Sequence, residues 1–174
     1  GRTVESLIAE WAATGKHGTQ IHDEIDNWIK NGIEPIETKA INGKKWLQKY
    51  KLKSDINVLS EVIVYSTDLK IAGTMDILAL DKTTGRYELI DWKTSKKIKT
   101  VSYGYKMGTS RATDAVMDCN FNHYALQLSL YRYLLENYYD IDVHNQLIVH
   151  LQDDGARSLV APYMQDHIVA MLNN

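Results

Sequence analysis

Apolar residues recur along the chain with two periods, and the change of period divides it into three parts. Leu7, Ile8, Trp11 and Ala12 fall at helical spacing within Thr3 to Ala13. After Gly15, the stripe Ile21, Ile25, Trp28 and Ile29 predicts a second helix from about Gly18 to Lys30. The stretch NGIEP breaks that helix, and Ala40 to Tyr50 reads as a third, carrying Lys44, Lys45 and Lys49, with Lys51 and Lys53 extending the basic run. From Ile56 the period becomes that of strands. β-Branched and aromatic residues dominate Val58 to Thr67, Ile71 to Leu80 and Arg86 to Lys93, and DKTTG makes the turn between the last two. Leu126, Leu130 and Leu134 return the pattern to helix over Phe121 to Tyr139. A strand at Asn145 to Leu151 and a helix from Pro162 to Leu172 follow. This order, ααα, βββ, α, β, α, predicts an α/β layer domain with a mixed sheet.

Composition narrows the class. With 174 residues, 44% of them hydrophobic, and 10 Gly and 2 Pro, the chain reads as one folded domain over 1–174. The missing initiator Met at Gly1 is what a domain excised from a longer protein would have. No run of apolar residues is long enough to span a membrane, so no membrane partner is expected. A single cysteine, Cys119, leaves no disulfide framework and no iron–sulfur cluster built from four cysteines, which suits an intracellular, reducing compartment. Lys and Arg number 20 against 22 Asp and Glu, a net charge of −2. That balance argues against a partner held by bulk positive charge. The charge is unevenly spread, however, with lysines concentrated at Lys39 to Lys53 and Lys93 to Lys106.

The chemistry converges on one hairpin. Alternate residues of a strand share a face, so Asp91 and Lys93 in LIDWKTS point the same way and Trp92 the other. The short turn brings Asp76, in GTMDIL, within reach of Asp91. Two such carboxylates repel unless a proton or a cation lies between them, and hard oxygen ligands suit Mg²⁺ or Mn²⁺. A lysine beside such a cation can orient a water and offset charge on a phosphate. Taken alone, D-x-K is equally the pattern of a solvated edge strand with a cross-strand ion pair. His22 alone suits the polar edge of an amphipathic helix.

Four motifs occur in one order: GTQIH on the second helix, GTMD on a strand, DWK one hairpin later, and QLSLY on the following helix. Together they resemble the PD-(D/E)xK nuclease superfamily in its RecB-like branch, and GTMD…LIDWKTS is similar to the mitochondrial genome maintenance exonuclease type and related viral nucleases. The resemblance implies a restriction-endonuclease-like α/β core, αβββαβ, with a mixed central sheet flanked by helices. It implies one or two Mg²⁺ or Mn²⁺ ions held by His22, Asp76, Asp91 and the backbone carbonyl of Trp92, with Lys93 catalytic beside Asp76 and Asp91. Gln127 and Tyr131 match the Q-x-x-x-Y motif that supports the site and contacts nucleic acid, although their helix positions alone suit ordinary surface and core equally well. Glu61, on the preceding strand, reads as a structural or exposed residue, with a further acidic neighbour of the site as the alternative. The implied activity is that of a metal-dependent deoxyribonuclease, an exonuclease favouring single-stranded DNA and leaving a 5′-phosphate, in replication, repair or recombination, with a helicase or another repair protein as a partner. Two alternatives stay open: a non-catalytic nucleic-acid-binding module attached to a helicase, and an RNA endonuclease of the same superfamily.

Between Lys93 and Gln127 the chain departs from the family's compactness. An insertion at 94–120, rich in Lys, Tyr, Ser and Thr, is long enough to be functional. Its interleaved basic and aromatic residues, Lys96, Lys97, Lys99, Tyr103, Tyr105, Lys106 and Arg111, suit the phosphates and bases of a single strand.

Overall fold

The computed structural model of the protein describes residues 16–95, Ile98 and residues 120–173. Helices α1 (Lys16–Asn31) and α2 (Thr38–Lys51) precede three antiparallel strands, β1 (Ile56–Ser66), β2 (Ile71–Asp81) and β3 (Arg86–Lys93). Helix α3 (Asn120–Tyr138) then crosses to β4 (Val143–Gln152), which lies parallel to β3. The chain continues through β5 (Gly155–Val160) and α4 (Gln165–Leu172). Among the described residues, five strands form one mixed sheet in sequential order, with only β3–β4 parallel. This is the α/β class and the αβββαβ run that the sequence predicts, with helices flanking the sheet. The segment Thr3 to Ala13 lies outside the described residues, as does most of the 94–120 insertion.

The sequence pattern omits β5. Its six residues, GARSLV, alternate weakly and are largely exposed, as befits a short edge strand, so they carry little periodic signal. Most other boundaries agree within about two residues, the usual uncertainty of helix and strand ends.

Two apolar layers sandwich the sheet. On one side, Ile21 and Ile25 of α1 and Ala40, Leu47 and Tyr50 of α2 pack on Ile77, Ile90, Trp92 and Val149. On the other, Leu126, Leu130 and Leu134 of α3 and Ile168 of α4 pack on Val64, Met75, Leu78, Leu89 and Ile148. Ile21 and Ile25 are fully buried, each contributing roughly 1.5–3 kcal/mol, and they fix the face of α1 that carries His22. Glu24 fixes its tilt: one carboxylate oxygen accepts the backbone N–H groups of Ile36 (2.6 Å) and Glu37 (2.9 Å) just before α2.

The sheet is not regular where these layers meet the proposed site. Met75 packs in the α3 layer and Ile77, two residues on, in the α1–α2 layer, although strict alternation would place both on one face. The change of side occurs at Asp76. Opposite it in the β1–β2 register lies Glu61, between the pairs Ser60–Ile77 and Val62–Met75, with a left-handed φ of 52°. β1 changes side there too, Val58 facing one layer and Val64 the other. Asp76 thus stands at a break between the two faces, within reach of α1 on one side and of Lys93 and α3 on the other.

Candidate metal centre

The β2–β3 register, running from Asp81–Arg86 to Ile77–Ile90, continues to place Asp76 opposite Asp91. DKTTG is the turn that sets it, with Gly85 at a φ of 74° where a side chain would strain the backbone. Both carboxylates are buried, at 8% and 7% exposure. Trp92 ties them to the helix layer. Its indole is buried edge-on against Trp46, with ring centroids 5.8 Å apart. Its backbone N–H donates to Asp76 Oδ2 at 2.8 Å, and its carbonyl oxygen lies 3.0 Å from His22 Nε2. His22 Nδ1 lies 3.4 Å from Asp76 Oδ1.

The structure therefore brings together three of the four groups expected around a cation, His22, Asp76 and the Trp92 carbonyl, and Glu61 joins them. One ligand atom each from His22, Glu61 and Asp76 fall within 4.8 Å of one another, so Glu61 is part of the cluster and not a bystander on the preceding strand. The sequence signal for Glu61 is its register opposite Asp76, which becomes legible once the β1–β2 pairing is known. Asp91 is turned the other way, with Oδ2 2.9 Å from Lys93 Nζ in an ion pair that is off the direction of a hydrogen bond.

The protonation pattern follows from this crowding. Burial alone would lower His22, but the Asp76 charge and hydrogen bond outweigh it and raise the imidazole to about 9. Burial would raise Asp76, yet the adjacent His22 charge holds it well below the usual carboxylate range. Burial pushes Asp91 up to about 7, an effect that Lys93 opposes and Asp76 reinforces. Glu61 is likewise pushed to about 7, by burial and then by the Asp76 charge. Without a cation, the cluster is neutralised by protons: an imidazolium bridges Asp76 and the Trp92 carbonyl, and the other two carboxyls hold protons more tightly than free ones do. One imidazole nitrogen and the carboxylate oxygens of Glu61 and Asp76, within 4.8 Å of one another, make a donor set that can hold a metal ion.

Lys93 is caged. Nζ donates to Gln127 Oε1 at 3.2 Å and sits 4.3 Å over the Tyr124 ring, while burial, which would lower its pKa, is overridden by Asp91 and Asp76. Gln127 Nε2 donates to the Tyr131 hydroxyl at 3.3 Å. Tyr131 is only 5% exposed, so the helix pair acts here as the backing of Lys93, with Tyr131 inside the core. Tyr124, which the sequence reading passes over, lies one turn before Gln127 and completes the cage.

The motif glycines have steric reasons. A Cβ at Gly73 would lie 2.6 Å from Tyr131 Cε1, and one at Gly18 3.1 Å from Thr94 Oγ1. Strand β2 can thus pass under Tyr131, and α1 can approach the end of β3. That end is itself pinned: Lys39 Nζ donates to the Thr94 carbonyl at 3.2 Å, and His150 bonds the Ser95 carbonyl through Nε2. Of the candidate nucleic-acid contacts, Lys96, Lys97, Tyr105 and Arg111 lie outside the described residues, as do Lys99, Tyr103, Lys106 and Cys119. No helix among the described residues is long and apolar enough to cross a membrane.

No family model matches the sequence, and no curated protein does so. Among solved structures, the one titled "Crystal structure of SSO0001" is similar, with 15% identity, a TM-score of 0.42, and coverage of 97% of this chain and 79% of that chain.

Proposed function

We propose that the protein is a metal-dependent nuclease of the PD-(D/E)xK kind that hydrolyses phosphodiester bonds in DNA, with single strands preferred. The observation that carries this reading is the convergence of His22, Glu61 and Asp76 at the Trp92 backbone, with buried Asp91 alongside turned toward a caged Lys93. An ordinary surface ion pair needs neither a buried pair of aspartates nor a left-handed glutamate opposite them.

His22, Asp76, Asp91 and the Trp92 carbonyl, joined by Glu61, would hold Mg²⁺ or Mn²⁺. When bound, such a cation neutralises the scissile phosphate and makes a water more acidic. The chain's own residues supply the remainder. Lys93, fixed from three sides by Asp91, Gln127 and Tyr124, orients the attacking water and offsets the charge that grows on the phosphate. Water adds to phosphorus and the bond to the 3′-oxygen breaks, giving a 5′-phosphate and a 3′-hydroxyl. His22 surrenders the proton it holds in the cation-free protein before its nitrogen can act as a ligand.

Incubation with Mn²⁺ and end-labelled linear single-stranded DNA, circular single-stranded DNA, duplex DNA and RNA tests the reading. Cleavage of linear single strands, abolished by chelation, is expected. Retention of every substrate intact, with DNA bound, would identify a non-catalytic binding module, and cleavage confined to RNA would reassign the substrate.

A further inference from the structure

Lys93 is the first residue of a row that runs away from the cation cluster across the sheet. In the β3–β4 register it faces His150, and in the β4–β5 register His150 faces Arg157. Residues directly opposite one another share a face. That face is the α3 side, because Leu89 on β3, Ile148 on β4 and Leu159 on β5 all pack in the α3 layer and are each separated by an even number of residues from the corresponding member of the row. Three groups able to carry positive charge therefore stand on adjacent strands, at the sheet end where β3 and β4 run out in parallel.

They are not equivalent. Lys93 is engaged by Asp91 and Gln127, and His150 is 7% exposed with Nε2 on the Ser95 carbonyl. Arg157 is exposed and has no hydrogen bond or ion pair among the described residues, while Asp153 and Asp154 in the adjoining turn are exposed and unpaired with it. Strands are about 4.8 Å apart, which places the Arg157 backbone about 10 Å from that of Lys93. A guanidinium at that distance reaches a neighbouring phosphate of a strand whose scissile phosphate lies at Lys93, and its fork of donors suits phosphate oxygens.

We infer that Arg157 is a phosphate-binding residue, holding the backbone of a single strand one or two nucleotides from the bond being cut. This rests on the nuclease reading above. β5, which the sequence pattern does not reveal, would then contribute a substrate contact in addition to closing the sheet edge.

The test compares wild type, Arg157→Ala, Arg157→Lys and Lys82→Ala on an end-labelled single-stranded DNA oligonucleotide with Mn²⁺ over a range of salt concentrations. Lys82 lies in the exposed turn at the other end of the sheet and serves as the control. Arg157→Ala is expected to raise KM about fivefold with kcat within about twofold, and to make the dependence of log affinity on log salt shallower by ~0.7, one phosphate contact on a single strand. Arg157→Lys is expected to recover most of the affinity. An Arg157→Ala variant matching Lys82→Ala in KM and salt slope overturns the inference while leaving the nuclease reading standing. A wild type that cuts nothing defeats that reading first.

Discussion

Replacing Glu61 by Gln separates what the cation cluster costs from what it does. Glu61 is pushed from 4.5 to about 7, because burial and the neighbouring Asp76 charge disfavour its carboxylate. The folded protein therefore binds this proton more tightly than the unfolded chain. Its contribution is fully present below about pH 4.5 and is lost as pH rises through about 7. At ~1.4 kcal/mol per pH unit, the full displacement corresponds to about 3 kcal/mol of unfavourable charging. The side chain is only half-buried, so solvent screening leaves roughly half of that, about 1.5 kcal/mol. Glutamine mimics the protonated acid at every pH. In urea denaturation with chelator present, Glu61→Gln is expected to match wild type near pH 4.5 and to exceed it by about 1.5 kcal/mol near pH 8. With Mn²⁺ added the order reverses, because wild type gains a ligand that the variant lacks. Equal or lower stability of Glu61→Gln near pH 8 in chelator would refute the claim that this carboxylate is held at an electrostatic cost.

Further consequences follow from the same geometry. His22 at about 9 and Asp91 at about 7 both hold protons that a bound cation must displace. Mn²⁺ affinity is therefore expected to rise from about pH 6 to 9, with one to two protons released per ion near neutrality, measured by calorimetry in buffers of different ionisation enthalpy. A pH-independent affinity would contradict this. Gly73→Ala drives a methyl group into the buried Tyr131 ring. It is expected to cost about 1–3 kcal/mol and, through Gln127 and Lys93, to lower turnover while leaving Mn²⁺ affinity unchanged. Loss of Mn²⁺ binding in that variant would place Tyr131 in a different role.

Much of this was legible in the sequence, for identifiable reasons. Asp91 and Lys93 on one face of β3, and Asp76 opposite them, follow from strand alternation and from a short turn with Gly85 at its left-handed position. What escaped depends on long-range geometry. Met75 and Ile77 face opposite layers because β1 and β2 break together at Glu61 and Asp76, and no alternation rule applied along β2 alone encodes that. His150 was unreadable for a similar reason: its neighbour Lys93 comes from a parallel pairing across α3, whose register no local turn sets. For Tyr131 the sequence leaves core and nucleic-acid contact equally open, because its motif names a residue type, and the burial of the ring beside Gly73 favours the core. β5 is not legible because none of its six residues is buried, and exposed Arg157 and Ser158 occupy both faces, which leaves too little apolar periodicity.

Asp91 is the residue on which the cation cluster and Lys93 meet, and Asp91→Asn keeps its shape while removing its charge. The deciding measurement is the rate at which wild type and Asp91→Asn cut linear single-stranded DNA with Mn²⁺, alongside the same reactions with chelator. Cleavage by wild type that needs Mn²⁺ and falls by at least ~10²-fold in a folded Asp91→Asn protein is the predicted result. Cleavage that survives chelation, or an Asp91→Asn variant that cuts as fast as wild type, would contradict the account.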